Sequence, residues 1–208
     1  MLTIVQTNIA RQKTFIGQER RTGGEVVDVY SGIVKTPVDD LFIDVGSLGL
    51  AGDIQVDTGT VKGKQVHGGP LKAIYAMPLG NLALWDAELG DILPGVSFGE
   101  NLTVEGPDET QIYIGDEFEC DGVRLRVTGA RRPCFKLDLH LGRGVARRMI
   151  VTGRTGWYFA VGQAGRLPTA GAILQLVNRR ADMPTVAEAF GRRMREDDTV
   201  PGLRDADS

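Results

Sequence analysis

The chain has 208 residues, is 42% hydrophobic and carries a formal net charge of -3, which suits one main domain with a sizeable core. No chain-wide basic excess exists to neutralise phosphates, so general nucleic-acid binding is excluded, and no run of about 18 apolar residues reads as a membrane span. MLTIVQTNIARQ lacks the basic and apolar regions of a signal peptide, and two cysteines make no disulfide framework, so a soluble cytoplasmic protein with reduced thiols is expected.

In chain order, Thr3 to Asn8 reads as a short strand and Arg11 to Gly24 as a polar loop without periodicity. Glu25 to Val34 alternates, with Val27, Val29 and Ile33 inward, and Ser31 and Lys35 close that strand. Phe42 to Val45 and Gly49 to Val56 are short segments punctuated by glycine. Asp53, Gln55 and Asp57 recur at period two, which suits either a solvated strand face or a carboxylate pair for metal or acid/base chemistry. In His67-Gly68-Gly69-Pro70 the glycines free the backbone to bring the imidazole or peptide N–H groups to a ligand; a hydrogen-bonded structural histidine is the other reading. Lys72 accompanies it.

Ala73 to Met77 reads as a strand, and Pro78 then opens a helix with Leu79, Leu82, Trp85 and Leu89 on one face and Gly90 at its end. Trp85 is read as core. Phe98 to Val104 leads from a glycine turn into a strand; Asn101 carries donor and acceptor groups suited to a heterocycle edge, and Glu100 suits pairing with an arginine. Ile112, Ile114, Phe118 and the alternating Val123, Leu125 and Val127 suggest a hairpin-like pair through Asp116. Cys120 stands beside an apparent turn at Asp121-Gly122 and between Glu119 and Asp121, whose charges disfavour a thiolate, and reads as structural.

The segment Thr128 to Leu137, TGARRPCFKL, sets Cys134 among cations. A thiol is nucleophile or metal ligand only as thiolate, the form that Arg131, Arg132 and Lys136 favour. Arg124 to Arg154 holds nine basic residues against the acidic Asp138, a local charge of about +8 in a chain of net -3. That polarity suggests a cationic pocket for an anionic small molecule, the other reading being an inert buried cysteine with solvated arginines. Gly144 to Val151 reads as a short helix bearing Arg147 and Arg148, and Gly153 to Val161 and Ile173 to Val177 resume the strand pattern. Many short strands divided by glycine suggest a mainly β, closed barrel. Val186, Ala189, Phe190 and Met194 then fall at helical spacing. No Walker loop, GxGxxG after a strand, HExxH, CxxC or GxSxG occurs.

VTGARRPCFKL resembles the cysteine segment of MOSC-domain proteins, specifically the bacterial YiiM-like branch. SGIVKTPV from Ser31, GLAGDIQVD from Gly49, HGGPLKAIYAMP from His67, FGENLTVEG from Phe98 and GRTGWY from Gly153 match in the same order. Ala130 departs from the family's usual proline, and TGTVKGKQV before His67 is longer than its usual spacer. The resemblance implies a closed MOSC-type β-barrel with short helices over residues 1–178, including an N-terminal extension, and a structural role near the pocket for the stretch of Asp53, Gln55 and Asp57. A short helical tail over 179–208 would stand where YiiM-like proteins often carry a helical domain.

The resemblance further implies a molybdenum cofactor, molybdopterin, with Cys134 as catalytic residue and thiolate ligand to the metal. The cofactor's phosphate would account for the basic surround, and Lys35, His67, Lys72, Asn101, Arg131, Arg132 and Lys136 are the expected binding residues. The implied activity is reduction of N-hydroxylated small molecules. Electrons would come from a separate flavin or iron-sulfur reductase, because neither motif occurs here. Two readings from other classes stay open: a sulfur carrier with a persulfide on Cys134 and no metal, and a non-catalytic module for an anionic cofactor.

Overall fold

Val123, Leu125 and Val127 are buried while Arg124 and Arg126 between them are exposed, the period-two pattern of a strand with one face on a core. The same logic repeats along the chain. The computed structural model describes residues 1–54, 60–61, 64–65, 68–90, 98–142 and 144–198, with backbone alone at 60–61, 64–65 and 197–198. Its strands are β1 (Leu2–Ile9), β2 (Thr14–Arg20), β3 (Val26–Ser31), β4 (Thr36–Pro37), β5 (Phe42–Gly46), β6 (Gly49–Leu50), β7 (Thr60–Val61), β8 (Lys64–Gln65), β9 (Ile74–Pro78), β10 (Leu102–Glu105), β11 (Glu117–Cys120), β12 (Val123–Ala130), β13 (Trp157–Gln163), β14 (Gly165–Pro168) and β15 (Ile173–Asn178). The helices are α1 (Leu79–Leu89), α2 (Phe135–Leu141), α3 (Val145–Thr152) and α4 (Val186–Asp198), with a 3-10 turn at Pro70–Lys72.

Strands β10, β9, β13, β12, β11, β15 and β1 pair edge to edge, and β1 pairs back onto β10, so seven strands close a barrel. Closure leaves these strands no open edge. The pairings round it are antiparallel except β9 with β10, which run parallel and are joined through α1, since parallel neighbours need a crossover. β4 prolongs the sheet beyond β1, β2 and β3 form a separate hairpin, and β14, β5 and β6 form a small third sheet.

Two apolar clusters result. Leu2, Ile4, Leu102, Phe118, Leu125, Trp157, Phe159 and Leu174 belong to the first, and Met77, Leu82, Trp85, Phe98, Leu137, Val145 and Met149 to the second. Every residue of β9 is buried because its faces serve different cores: Ile74 and Ala76 join the first, Tyr75 and Met77 the second. Trp85 is core as expected, with the Arg154 guanidinium 4.3 Å above its ring.

Four sequence expectations change. Arg11 to Gly24 is no loop: β2 lies there, and a register shift between Phe15 and Gly17 breaks the alternation that would have marked it. Helix α2 was not anticipated, since its seven residues include one fully buried side chain, Leu137, too little for a visible helical stripe. The hairpin of β11 and β12 closes at the expected Asp121-Gly122 turn, where φ of 49° and 81° suits a type I′ turn, and Asp116 precedes the pair rather than lying within it. Asp116 is instead a buried anchor that accepts N–H groups from Tyr113 at 3.1 Å and Arg180 at 2.8 Å. Of the expected strand Gly49 to Val56, β6 covers Gly49 and Leu50; Asp53 follows it, and Gln55 and Asp57 lie outside the described residues.

The C-terminal helix is fastened at its start. Thr185 Oγ1 accepts the Glu188 N–H at 3.1 Å and Glu188 Oε2 accepts the Thr185 N–H at 2.9 Å, a reciprocal capping box. Val186, fully buried in the first cluster, follows directly. Thr185→Ala should therefore cost about 1 kcal/mol in denaturant titration, and an unchanged midpoint would show that the cap contributes nothing.

Candidate functional site

A cleft lies where the second cluster meets the barrel wall. Arg131, just beyond β12, lines it while only 6% exposed. Its backbone N–H reaches Gly156 O at 3.4 Å, its Nη1 lies 3.8 Å from Met149 Sδ, and its guanidinium stands 5.8 Å from the centre of the Tyr75 ring. Among the described residues no carboxylate forms an ion pair with it. A buried cation lacking a counter-ion is costly, and an anion entering the cleft offsets that cost. Tyr75 and Tyr158 stand beside it with ring centres 5.4 Å apart. Burial pushes both phenols above the usual tyrosine value, and Arg131 pulls them the other way.

One side of the cleft is an ion-pair network. Lys35 Nζ lies 2.6 Å from both oxygens of Asp53, and both side chains are almost wholly buried. Asp53 also accepts the Ala10 N–H at 2.7 Å and the Asn101 amide at 2.8 Å. Asn101 Nδ2 further donates to Asn8 O at 3.2 Å, and its Oδ1 accepts the Tyr75 N–H at 3.1 Å. Burial lowers the Lys35 ammonium from the usual lysine value, against Asp53, which raises it.

Cys134 stands half-buried at the cleft as the N-cap residue of α2, with extended backbone, and its carbonyl accepts the Leu137 N–H at 2.9 Å. Pro133 before it holds Arg132 out of helical conformation, so the chain stays extended up to the cysteine. Lys136 lines the cleft from the first turn of α2, its ammonium lowered by burial and then by repulsion from Lys13. Lys72 lines it from the 3-10 turn, lowered by burial and then by Arg193 and Arg132. Asp138, the acidic residue of the segment, accepts the Ala146 N–H at 2.8 Å and so serves the start of α3.

Of the residues expected at the site, Lys35, Lys72, Asn101, Arg131, Cys134 and Lys136 share this cleft. Arg132 does not line it. It is exposed in a groove between the end of β12 and α4, beside Arg193, because neighbours in extended chain point to opposite sides. His67 lies outside the described residues. The network also changes two roles: the charge of Lys35 is matched by Asp53, and both amide hydrogens of Asn101 are committed to Asp53 and Asn8. Arg124, Arg126, Arg147 and Arg148 are exposed, and Arg154 pairs with Glu88, so little of the local positive charge reaches the cleft. Tyr75, Tyr158 and Phe98 were missed as cleft residues; period two in β9, which puts Tyr75 opposite Ile74 and Ala76, was the available signal for the first.

Residues 63–174 match the MOSC domain family. Protein YiiM of Escherichia coli is 35% identical to this chain, over 78% of the chain and 76% of that protein. The chain belongs to the MOSC-domain family. The crystal structure of YiiM from Geobacillus stearothermophilus is similar to this MOSC chain with a TM-score of 0.71 and 29% identity, covering 95% of the chain and 86% of its own. A protein of Gibberella moniliformis named "Reductase" is 30% identical over 76% of this MOSC chain, which spans 27% of that longer protein. Among the described residues no helix is long and apolar enough to cross a membrane.

Two substitutions follow from this geometry. Asp53→Ala leaves the Lys35 ammonium buried without its partner and should cost about 3 to 5 kcal/mol in chemical denaturation. Lys35→Met together with Asp53→Leu should recover part of that loss; equal losses in the two proteins would show that the pair itself is not what matters. Cys120 lies on β11, its thiol pushed up by burial and then by Asp121. Cys120→Ser should leave the thiol reactivity at Cys134 unchanged, and faster labelling of Cys120 than of Cys134 by a thiol reagent at neutral pH would count against this assignment.

Proposed function

We propose that the cleft holds a molybdenum cofactor, with Arg131 on its anionic phosphate and the Cys134 sulfur as the chain's ligand to the metal, and that the protein reduces N-hydroxylated compounds. The observation that carries this reading is the buried Arg131 guanidinium, without a carboxylate partner among the described residues, in the same cleft as Cys134. The donor set fits the group. A cysteine thiolate is a soft ligand suited to a thiolate-rich molybdenum centre, and a guanidinium fork matches phosphate. No group of three or more His, Cys, Asp or Glu side chains stands ready to hold a metal among the described residues, so the remaining ligands would come from the cofactor.

When bound, the cofactor supplies the two-electron redox chemistry that cleavage of an N–O bond requires. Overall, the N-hydroxylated compound takes up two electrons and two protons and yields the reduced nitrogen compound and water. A separate flavin or iron-sulfur reductase supplies the electrons. Arg131 binds and orients the phosphate, Lys72 and Lys136 add positive charge along the cleft, and Phe98 and Tyr158 present apolar surface that excludes water from the reacting end. The family is associated with molybdenum-cofactor oxidoreductase activity, and the name of the Gibberella moniliformis relative supports a reductase. Sulfur carriage on a Cys134 persulfide is the competing reading, and it gives the buried arginine nothing to bind.

Protein made in a host that synthesises the cofactor should copurify with molybdenum and pterin, and Cys134→Ser should lose most of the metal. Arg131→Ala should weaken cofactor retention roughly ten- to hundredfold, the usual worth of a charge-assisted bond, while the exposed Arg192→Ala retains it. Elemental analysis without molybdenum, together with a persulfide on Cys134 by mass spectrometry, would replace this reading with the carrier.

A further inference from the structure

We infer that Glu109, which does not line the cleft, is the residue that positions Arg131 and Tyr75 for the anion, acting through the peptide groups of Thr155 and Gly156. The inference rests on the reading of Arg131 as the anion's contact. Glu109 is 4% exposed in the segment between β10 and β11. Its Oε1 accepts the Gly156 N–H at 2.5 Å and the Asn81 amide at 2.8 Å, and its Oε2 accepts the same amide at 2.9 Å.

The Thr155–Gly156 peptide that this carboxyl holds by its N–H, and the Gly156 carbonyl that follows it, are the groups that reach the cleft residues. Thr155 O accepts the Tyr75 hydroxyl at 2.8 Å, and Gly156 O accepts the Arg131 N–H at 3.4 Å. Gly156 sits at φ 63°, and a Cβ there would lie 2.2 Å from Ala76 O, so the peptide is pressed against β9 with no room to shift that way. The N–H of Gly156 points to Glu109, and its carbonyl, which also accepts the Thr155 hydroxyl at 2.8 Å, points to the backbone N–H of Arg131, so one residue links the buried carboxyl to the main chain that carries the guanidinium.

Glu109 is itself fixed from two other sides. Its backbone carbonyl accepts the Ala187 N–H at 2.9 Å from the first turn of α4, and Asn81 reaches it from α1. Burial pushes its carboxyl above the usual range, against the hydrogen bonds from its own backbone, Gly156 and Asn81 that pull it down. An apolar side chain would fill this position at lower desolvation cost. What it would lack is an acceptor for the Gly156 N–H, and that acceptor is what sets where Arg131 leaves β12.

The test uses the full chain from a host that makes no molybdenum cofactor, with inorganic phosphate as the probe and binding followed by NMR titration. Glu109→Ala should weaken phosphate binding roughly tenfold, one lost charge-assisted contact. Glu109→Gln should stay within about threefold, because its amide oxygen still accepts from Gly156 and Asn81 can turn its own amide to match. Amide exchange at Gly156 should quicken in Glu109→Ala and not in Glu109→Gln. In an Arg131→Ala background, Glu109→Ala should add no further loss, since coupled residues are non-additive. Should Glu109→Ala not fold, Glu109→Asp, which draws the carboxyl back from Gly156, carries the same cycle. Weakening by Arg131→Ala but not by Glu109→Ala overturns this inference alone, as does a Glu109 effect that persists in full without Arg131. An Arg131→Ala protein that binds phosphate like wild type overturns the anion reading, and this inference with it.

Discussion

The carboxylate of Asp53 is the point on which the cleft depends. It gathers the end of β1 through Ala10, the segment after β3 through Lys35, and the entry to β10 through Asn101. Stripping water from two charges costs several kcal/mol per ion, and the cost is repaid only where the remaining lone pairs are filled. Asp53 meets that condition: both oxygens accept Lys35, and each has a second donor. The same completeness removes Lys35 as an attractor, because its charge is matched within 2.6 Å. Arg131 is left as the deep cation whose partner among the described residues is a sulfur and an aromatic face rather than a carboxylate.

The place of the cleft follows from β9. A barrel strand ordinarily shows water one face, but β9 turns Tyr75 and Met77 into a second core built by α1, α2, α3 and the β2–β3 hairpin. Where two cores share a strand their packing cannot be continuous at its end. The residues lining the gap come from both sides, Ala73 from the barrel cluster and Ile33, Tyr75 and Phe98 from the other. Polar groups emerging there are buried by the surrounding helices without belonging to either apolar cluster. That is how an arginine comes to be 6% exposed.

Sequence carried the parts of this arrangement that are local. β1, β12, α1 and α3 are long or regular enough for their patterns to show, β9 reads as a short apolar run, and Cys134, Arg131 and Lys136 lie within six residues of one another. The network of Asp53, Lys35, Asn101 and Ala10 joins residues up to 91 positions apart, and no local pattern announces such a pairing. Period two showed Asp53 as one of three alternating polar residues, and it was the family resemblance of that stretch that implied a structural role near the pocket. Charge density misled in a different way: alternation in β12 sends Arg124 and Arg126 to solvent, and extended chain sends Arg132 to the α4 side. Counting charges along the chain says how many cations are near and not which way they face. Glu109 gave no signal, because its meaning depends on a glycine 47 residues away.

The cations that do face the cleft differ in kind. Lys72 and Lys136 both have their ammonium groups lowered by burial and by neighbouring positive charge, Arg193 and Arg132 for one, Lys13 for the other. A lowered lysine loses its proton sooner as pH rises, so its attraction for an anion fades over the alkaline range, and an arriving anion works in the opposite sense by stabilising the ammonium. A guanidinium does not lose its proton in that range. Its planar fork also presents parallel N–H groups that a single ammonium cannot reproduce. On the proposed reading the lysines would draw an anion in and take up charge as it arrives, while the fork that holds it would be that of Arg131, whose backbone N–H meets Gly156 O at 3.4 Å.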